Sequence, residues 1–195
     1  MILAELKAAT SDIHARTERL LPSLPLLATR DGYVRCLLVL HGFHAGWEPA
    51  IWRTTGMEEA GFGGGAQAKL SLIESDLQFL GVGKQQLAIS IERPILDSCA
   101  AALGALYVLE GATLGGQVIE RHASRAVGVT PRAGGSYFHG HGERTGEMWR
   151  AFGGALSAWV DHNGQSESIV RGAVDCFQSL ESWAGDMTLD GVGHE

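Results

Sequence analysis

One stretch near the middle of the chain constrains the fold more than any other. Residues 101–116 are apolar on nearly every side of a predicted helix, and Glu110 is the one charged residue among them. A helix that is apolar all round is typical of the centre of a globular core rather than of its surface. We therefore expect the other helices of this chain to pack around it.

In most of the remaining chain, apolar residues recur at helical spacing, and the alternation of apolar and polar residues that is typical of strands is almost absent. The predicted helices cover residues 3–20, 31–52, 69–79, 84–90, 94–127, 145–160 and 167–184. With 195 residues, the chain is long enough for one sizeable core and short for two. We expect an all-α fold, a single-domain helical bundle over residues 1–195, with a frayed tail from about residue 188.

Caps and helix breakers set the expected ends of several helices. Pro22 and Pro25 are expected to end the first helix, because proline removes a backbone donor. Asp31 is the expected N-cap of the second helix, and Pro94 is well placed in the first turn of the central one. The glycine-rich segment 61–65 predicts a loop.

Charge and composition exclude several classes of protein. The formal net charge is −7 and no basic stripe is visible, whereas phosphate binding requires clustered Lys and Arg, so we expect no nucleic-acid partner. No apolar run is as long as a membrane span requires, and the N-terminus lacks the regions of a signal peptide, so we expect a cytoplasmic protein with no membrane contact. Cys36, Cys99 and Cys176 are widely spaced among apolar residues and are expected to be buried thiols.

Three residues of the first predicted helix form a pattern that suits metal chemistry. Lys7, His14 and Glu18 are spaced by seven and four residues, so they project from roughly one side. A neutral imidazole can ligate iron through one ring nitrogen while a carboxylate four residues later accepts a hydrogen bond from the other. Lys7 lies about 10 Å along the axis from His14, where it could hold the acidic edge of a metal-bound macrocycle. A solvated His–Glu pair would have the same spacing.

Glycines inside the central helix need an explanation. Gly104, Gly111 and Gly115 each cost about 1 kcal/mol relative to alanine in a helix interior. They could let a flat ligand approach the helix backbone, or they could let another helix pack closely, and the sequence leaves both open. Tyr107 precedes Gly111 by one turn, so its hydroxyl could reach the same ligand as Lys7, or it could be a core tyrosine.

Four stretches of the chain resemble heme oxygenases of the bacterial type. The proximal helix of that family is similar to LKAATSDIHARTERLLP, and its glycine-rich distal helix is similar to ALYVLEGATLGGQVIERH. Two later family segments are similar to SYFHGHGERTGEMWRAFGGAL and IVRGAVDCFQSLESWAG. The resemblance covers most of the chain in the right order, and it is closest to the short bacterial enzymes, including those that supply biliverdin to bacteriophytochromes.

The resemblance implies a role in heme binding for a set of residues that match the family one by one. These are His14 as the iron ligand, Glu18 as its carboxylate partner, Lys7 and Tyr107 as propionate contacts, Phe177 as a wall of the pocket, and Gly111 and Gly115 as the distal, catalytic glycines. Arg150 is a further candidate for a propionate contact, and a solvated arginine would look the same.

One position departs from the vertebrate-type pattern. The Asp that follows the first distal glycine in those members, where it orders distal water, is replaced here by Ala112. The polar groups that order water must therefore come from elsewhere. His41, His44 and Trp149 are candidates, although each could equally be a surface or core residue.

The resemblance also implies a reaction and its participants. Heme would be both cofactor and substrate, and molecular oxygen the co-substrate, with biliverdin, carbon monoxide and ferrous iron as products. No flavin or nicotinamide fingerprint is present, so an external electron donor such as a ferredoxin or a reductase is implied. A bacteriophytochrome is an implied recipient of the biliverdin.

Three other classes of function compete with this interpretation. A heme-storage or heme-sensing protein on the same fold would bind heme without opening it, and this is the main alternative. His139 and His141 suggest a metallohydrolase, but no HExxH or Glu-x-x-His signature is present. A di-iron protein would need several inward carboxylates, and the central helix offers only Glu110.

Overall fold

The computed structural model describes residues 1–21, 24–62, 68–87 and 91–189. The helices are α1 Ile2–Leu20, α2 Leu24–Leu27, α3 Arg30–Arg53, α4 Lys69–Phe79, α5 Cys99–Val127, α6 Ser136–His139, α7 Thr145–Asn163 and α8 Ser166–Leu189, with 3₁₀ turns at Lys84–Leu87 and Gly142–Arg144. Within these ranges there is no β-strand, only isolated bridges of Thr130 with Ala133 and Gly134. The predicted all-α bundle is confirmed.

Helix α5 is the central element, and α8 is its main neighbour. The two backbones cross in direct contact: a Cβ built on Gly104 would collide with the carbonyl oxygen of Ile169 and lie 2.7 Å from the amide nitrogen of Ala173. A Cβ on Gly172 of α8 would collide in the same way with the carbonyl oxygen of Ala101. Gly104 therefore serves close helix packing, which was one of the two explanations left open by the sequence.

Helix α1 packs against α8 through an amphipathic face. Ile2, Leu6, Thr10, Ile13 and Thr17 are its buried residues, at the three- and four-residue spacing of one helical face. On the surface, the Arg16 guanidinium donates to both carboxylate oxygens of Glu181 on α8, at 2.6 and 3.1 Å. Because α1 and α5 both rest on α8, the predicted iron ligand and the predicted distal glycines lie on neighbouring helices.

A second apolar cluster lies between α2, α3, α4 and α6, on the other side of α5. Tyr33, Leu37, Ile73 and Leu77 are fully buried in it. The Tyr33 hydroxyl donates to the carbonyl oxygen of Gly134, at 2.8 Å, which fixes the chain just before α6. This cluster supports the C-terminal half of α5 from behind.

Two predicted helix starts are wrong. Helix α5 begins at Cys99, because the Ser98 side chain accepts a hydrogen bond from the amide of Ala101, and Pro94 lies in the irregular segment before it. Helix α3 is capped by Thr29 rather than by Asp31, since the Thr29 hydroxyl accepts from the amide of Gly32. In both cases a hydroxyl nearby in the chain satisfies the free helix amides better than the predicted residue.

The expectation that residues 101–116 are buried on all sides is correct only for the first part of that stretch. Ala102 to Leu106 are buried, whereas Ala112, Leu114 and Gly115 are exposed. The difference marks the side of α5 on which the predicted site lies.

Other predictions fall partly outside the described residues. Pro22, residues 63–65 of the predicted glycine loop and the end of the predicted helix 84–90 lie outside them, as does the tail from 190. Helix α8 continues to Leu189, beyond the position at which fraying was expected. Cys36 and Cys176 are buried free thiols as predicted, and Cys99 is half-buried.

By length and composition alone, α5 is apolar enough to cross a membrane, contrary to the expectation from the sequence. Of the most apolar 18-residue window of α5, 50% is buried inside the bundle. The core helix of a soluble protein passes the same test, so the apolarity of α5 is accounted for by its central position.

Candidate active site

His14 projects from the exposed flank of α1 between a carboxylate and an aromatic ring. Its Nδ1 lies 3.6 Å from Glu18 Oε2, and 53% of its side chain is exposed. The ring meets the edge of Phe177 of α8, with the centroids 5.5 Å apart and the planes at 72°. Glu18 therefore stands beside one ring nitrogen, which leaves Nε2 as the nitrogen available to a metal. At 3.6 Å the contact with Glu18 is longer than a hydrogen bond.

Tyr107 connects α5 to α1 one turn from His14. Its hydroxyl is hydrogen-bonded with the hydroxyl of Thr10, which in turn donates to the carbonyl oxygen of Leu6 at 2.7 Å. Burial raises the pKa of Tyr107, and the Thr10 contact only partly opposes this, so the phenol is protonated at neutral pH. Lys7 is exposed on the turn of α1 that precedes Thr10. Lys7 is thus less than one turn of α1 from the residue that Tyr107 contacts.

The two predicted distal glycines face open space. A Cβ built on Gly115 would meet no described atom within 4 Å outside its own helix backbone. A Cβ on Gly111 would meet only the ring of Trp149 of α7, at 3.8 and 4.0 Å. On the same part of α5, Leu114 and Val118 are 43% and 49% exposed. An apolar helix surface with two missing side chains fits a flat, apolar ligand such as a porphyrin.

Aromatic rings line the Gly111 side of this surface. Trp149 lies 5.6 Å from Tyr107 between ring centroids, and it stacks on Phe152 at the same distance with an interplanar angle of 27°. From the sequence, Trp149 was a candidate only as a source of polar groups, and Phe152 was not predicted to belong to the site. The spacing of the two rings on one face of α7 was the signal available in the sequence.

His44, a candidate for ordering distal water, is instead buried between Glu48 and Tyr137. It is 1% exposed, its Nδ1 lies 2.6 Å from Glu48 Oε1, and its Nε2 lies 3.0 Å from the Tyr137 hydroxyl. Burial lowers the pKa of His44 below 6.5, although the hydrogen bond to Glu48 opposes this. In the neutral ring, Nδ1–H donates to Glu48 and Nε2 accepts from Tyr137. Neither nitrogen is left to hold a distal water.

Three other histidines and Arg150 take no part in this arrangement. His41 is buried with its Nε2 3.6 Å from Glu74 Oε1 of α4. Arg150 is exposed on α7. Within the described ranges, no group of three or more His, Cys, Asp or Glu side chains could hold a metal ion, and this includes His139 and His141. The geometry therefore gives no support to the metallohydrolase alternative.

Two surface cavities lie away from these residues, beside the N-terminus of α5. Their volumes are about 350 and 490 Å³, and Arg93, Pro94, Leu96 and Asp97 line both. None of the predicted site residues lines either cavity. At the predicted site, a Cβ on Gly115 would face open space within 4 Å among the described residues.

A comparison with models of protein families decides the identity of the chain. The model for heme oxygenase matches residues 1–186, which is nearly the whole sequence. The chain belongs to the heme oxygenase family. As a heme oxygenase it uses molecular oxygen to open heme, its substrate and cofactor, to biliverdin, carbon monoxide and ferrous iron. The predicted family, enzyme class and cofactors are confirmed. Nothing in this match supports the heme-storage alternative.

A solved structure has the same fold. The chain is similar to the NO- and CO-bound heme oxygenase from Neisseria meningitidis, with a TM-score of 0.81 and 21% sequence identity, over 96% of this chain and 92% of the other. A comparison with curated proteins finds no match. The similarity in structure confirms the all-α fold of the heme oxygenase type. The roles of the individual site residues, which the resemblance implied, stay predictions.

Proposed function

We propose that this heme oxygenase binds heme between α1 and the C-terminal half of α5, with His14 as the ligand of the iron. One observation carries the proposal: the half-exposed His14 ring is held between Glu18 and Phe177. The opposite helix offers the open glycine surface at Gly115. Heme, when bound, supplies the iron that activates oxygen and the ring that is opened. The task of His14 and Glu18 is to hold and orient the iron.

Lys7 and Tyr107 are proposed to hold the propionates. A lysine ammonium forms charge-assisted hydrogen bonds with carboxylates, and the protonated Tyr107 phenol can donate another. Lys7 is less than one turn of α1 from Thr10, which Tyr107 of α5 contacts. A ligand seated there would have its acidic edge at Lys7 and its centre near His14, about 10 Å away along the helix axis. The two residues would thus fix the rotation of the ring, and with it the carbon that faces oxygen.

Gly111 and Gly115 are proposed to act by leaving space above the iron. The absence of side chains lets the helix backbone approach the bound ring and leaves room for oxygen on the side opposite His14. Ala112 carries no polar group and both ring nitrogens of His44 are engaged, which leaves the backbone of α5 and Trp149, beside Gly111, as candidates for ordering water there. Trp149 borders this space at Gly111, whereas Phe177 lies against the ring of His14.

The proposed iron ligand is tested by adding hemin to the His14→Ala variant. We expect the optical spectrum of a histidine-ligated ferric heme in the wild type, its loss in the variant, and its recovery when imidazole is added. The exposed His162 of α7 provides a control, since His162→Ala removes a histidine that the proposed site does not use. An unchanged spectrum and unchanged turnover in His14→Ala would show that another residue binds the iron.

The proposed propionate contacts are tested with Lys7→Ala, Tyr107→Phe and the double variant. Each contact is worth about 1 to 3 kcal/mol, so hemin affinity should fall by about tenfold or the ratio of biliverdin isomers should change. Lys84→Ala removes an exposed lysine elsewhere and is the control. A double variant with the affinity and isomers of the wild type would contradict the assignment.

The electron donor, the recipient of the product and the compartment belong to the same proposal. A ferredoxin or a reductase would deliver electrons from outside, and a bacteriophytochrome would take up the biliverdin. The chain would act in the cytoplasm as a single domain over residues 1–195. Reconstitution with a ferredoxin and its reductase tests the first point, with ascorbate as the reference reductant. Transfer of biliverdin to a bacteriophytochrome apoprotein, followed by its red absorbance, tests the second.

A further inference from the structure

The C-terminal half of α5 is sparsely contacted on its glycine side, where a Cβ on Gly111 would meet only Trp149 and one on Gly115 no described atom within 4 Å. The glycine window, defined as residues 111–115, faces open space on the side of the proposed heme site. Two glycines within a helix give it little stiffness of its own, because glycine is the least restrained residue. Besides the contact with Trp149, the contacts that can fix the position of this window lie on the opposite side of α5.

The first contact on that side comes directly before the window. Lys69 Nζ donates to Glu110 Oε1 at 2.7 Å. The Lys69 side chain is 7% exposed and that of Glu110 is 18% exposed, so the pair is shielded from water. Lys69 is the first residue of α4. Loss of one partner would leave the other charge poorly solvated, which makes the contact specific rather than a loose surface pair.

The second contact comes directly after the window. A Cβ built on Gly116 would lie 3.0 Å from the carbonyl oxygen of Phe138, so α5 rests on the backbone of α6 at this point. Next to it, Gln117 Nε2 donates to the carbonyl oxygen of Gly142 at 2.8 Å. The segment from α6 to the following turn therefore determines how far α5 can move away from the heme site.

Asp76 of α4 fixes α6 in turn. Its Oδ1 accepts from the amide of Ser136 at 2.9 Å and from the Ser136 hydroxyl at 2.8 Å, and its Oδ2 accepts from the amide of Tyr137 at 2.8 Å. Asp76 is 2% exposed. A carboxylate with three donors at the start of a helix satisfies amides that would otherwise be unpaired.

Lys69 and Asp76 belong to one face of one helix. They are seven residues apart in α4, which is two helical turns. The first turn of α4 is itself held by Glu48 of α3, whose Oε1 accepts from the amide of Leu70 at 2.8 Å. One short helix thus reaches α5 on both sides of the glycine window, directly at Glu110 and through α6 at Gly116.

We infer that α4 is a positioning element of this enzyme, in which Lys69 and Asp76 set the distance of the glycine window from the bound heme. Neither residue touches the proposed site, so both act through α5. The inference rests on the proposed location of heme between α1 and α5. It assigns a function to two buried charged residues that the proposed heme contacts do not use.

The test measures amide hydrogen exchange in the heme-free protein and heme cleavage in the same variants. Lys69→Met and Asp76→Ala remove the two contacts, and Lys69→Arg and Asp76→Asn retain part of each. Trp183→Phe is the control, because it deletes one hydrogen bond of 2.8 Å to the carbonyl oxygen of Val39, between α8 and α3. The conservative variants keep the test decisive if a full removal prevents folding.

We expect exchange of amides 111–117 to rise by about tenfold or more in Lys69→Met and Asp76→Ala relative to the control, as the loss of a buried charged hydrogen bond predicts. The kcat for heme cleavage should fall more than the apparent KM changes, and biliverdin isomers should become more mixed. Lys69→Arg and Asp76→Asn should lie between these variants and the wild type.

Exchange that rises equally in every helix, or not at all at 111–117, would overturn the inference. So would a local rise in exchange with unchanged kcat and isomer ratio. If the wild type bound hemin elsewhere, the exchange experiment would still report whether α4 holds the window. Failure of the proposed heme site is therefore distinguishable from failure of this inference.

Discussion

The two halves of α5 carry glycines for opposite reasons. In the first half Gly104 lies against the backbone of α8, where a Cβ would collide with Ile169. In the second half a Cβ on Gly115 would meet no described atom within 4 Å beyond its own helix backbone. The first half is buried and the second exposes Leu114 and Val118. One glycine is required by the fold, whereas the other leaves space for a ligand.

This difference separates stability from function along a single helix. Packed interiors do not accept one extra methyl group without strain, so the first half determines whether the bundle forms. An open surface accepts the same methyl group freely, so the second half can be changed without unfolding the protein. Substitutions that add one methyl group along α5 should therefore change the free energy of unfolding by amounts that differ in size and in sign.

The largest effect is expected from Gly104→Ala. The new Cβ would collide with the carbonyl oxygen of Ile169 and force α5 and α8 apart, so the free energy of unfolding should fall by about 3 kcal/mol or more. Urea denaturation of the heme-free protein measures this. Gly154→Ala is the control, because a Cβ there meets nothing within 4 Å. Equal stability of the two variants would remove the basis of the comparison.

The next largest effect concerns His44, whose contact with Tyr137 supports the second half through α6. His44→Gln disrupts two buried hydrogen bonds, so at about pH 7.5 it should lower the free energy of unfolding by about 2 kcal/mol. Glu48, Tyr137, Lys69 and Glu110 are the titratable groups that act on this ring. Urea denaturation at several pH values measures the difference.

The sign of the pH dependence follows from the pKa of His44, which burial lowers below 6.5. Below pH 6.5 the unfolded chain binds a proton at His44 that the folded protein does not bind. The free energy of unfolding is therefore highest above pH 6.5 and decreases as the pH falls toward the pKa of His44 in the folded protein. The loss is about 1.4 kcal/mol per pH unit for one proton. The difference in free energy of unfolding between wild type and His44→Gln should therefore become smaller at acidic pH. If the free energies of unfolding of the two proteins changed in parallel with pH, the pKa of His44 would not differ between the folded and unfolded states.

A smaller effect is expected from Gly116→Ala, at the point where the second half rests on α6. The Cβ would lie 3.0 Å from the carbonyl oxygen of Phe138, and the hydrogen bonds of Asp76 prevent α6 from yielding freely. The better helix propensity of alanine offsets part of the strain, which leaves a net loss of about 1 kcal/mol. Thermal or urea unfolding can resolve this change. A gain in stability would show that α6 is more mobile than its hydrogen bonds indicate.

The smallest effect on stability, and the clearest effect on function, is expected from Gly115→Ala. The folded protein should gain up to about 1 kcal/mol from helix propensity, because the Cβ meets no neighbour. The methyl group would occupy space on the heme side, so biliverdin formation in a single turnover with ascorbate should slow while hemin stays bound. Unchanged turnover would place heme away from Gly115 and would contradict the proposed role of the glycine window.

The sequence by itself determined the helices and the family. Periodic apolar residues predicted most of the observed elements because a residue's position on a helix depends only on its neighbours along the chain. Residues 69–79 match α4, and residues 3–20 match α1 within one residue. The motifs around His14 and Gly111 indicated a heme oxygenase, which the family match over residues 1–186 confirms. The roles of the individual site residues stay predictions.

Only the tertiary structure decided which glycines pack and which face open space. Gly104 meets Ile169, 65 positions later in the sequence, and Asp76 meets Ser136, 60 positions away. His44 meets Tyr137 across 93 positions, and this contact removed it from the candidates for ordering water. Helical periodicity shows which residues share a face. It does not show what that face meets, because that depends on how distant helices pack together.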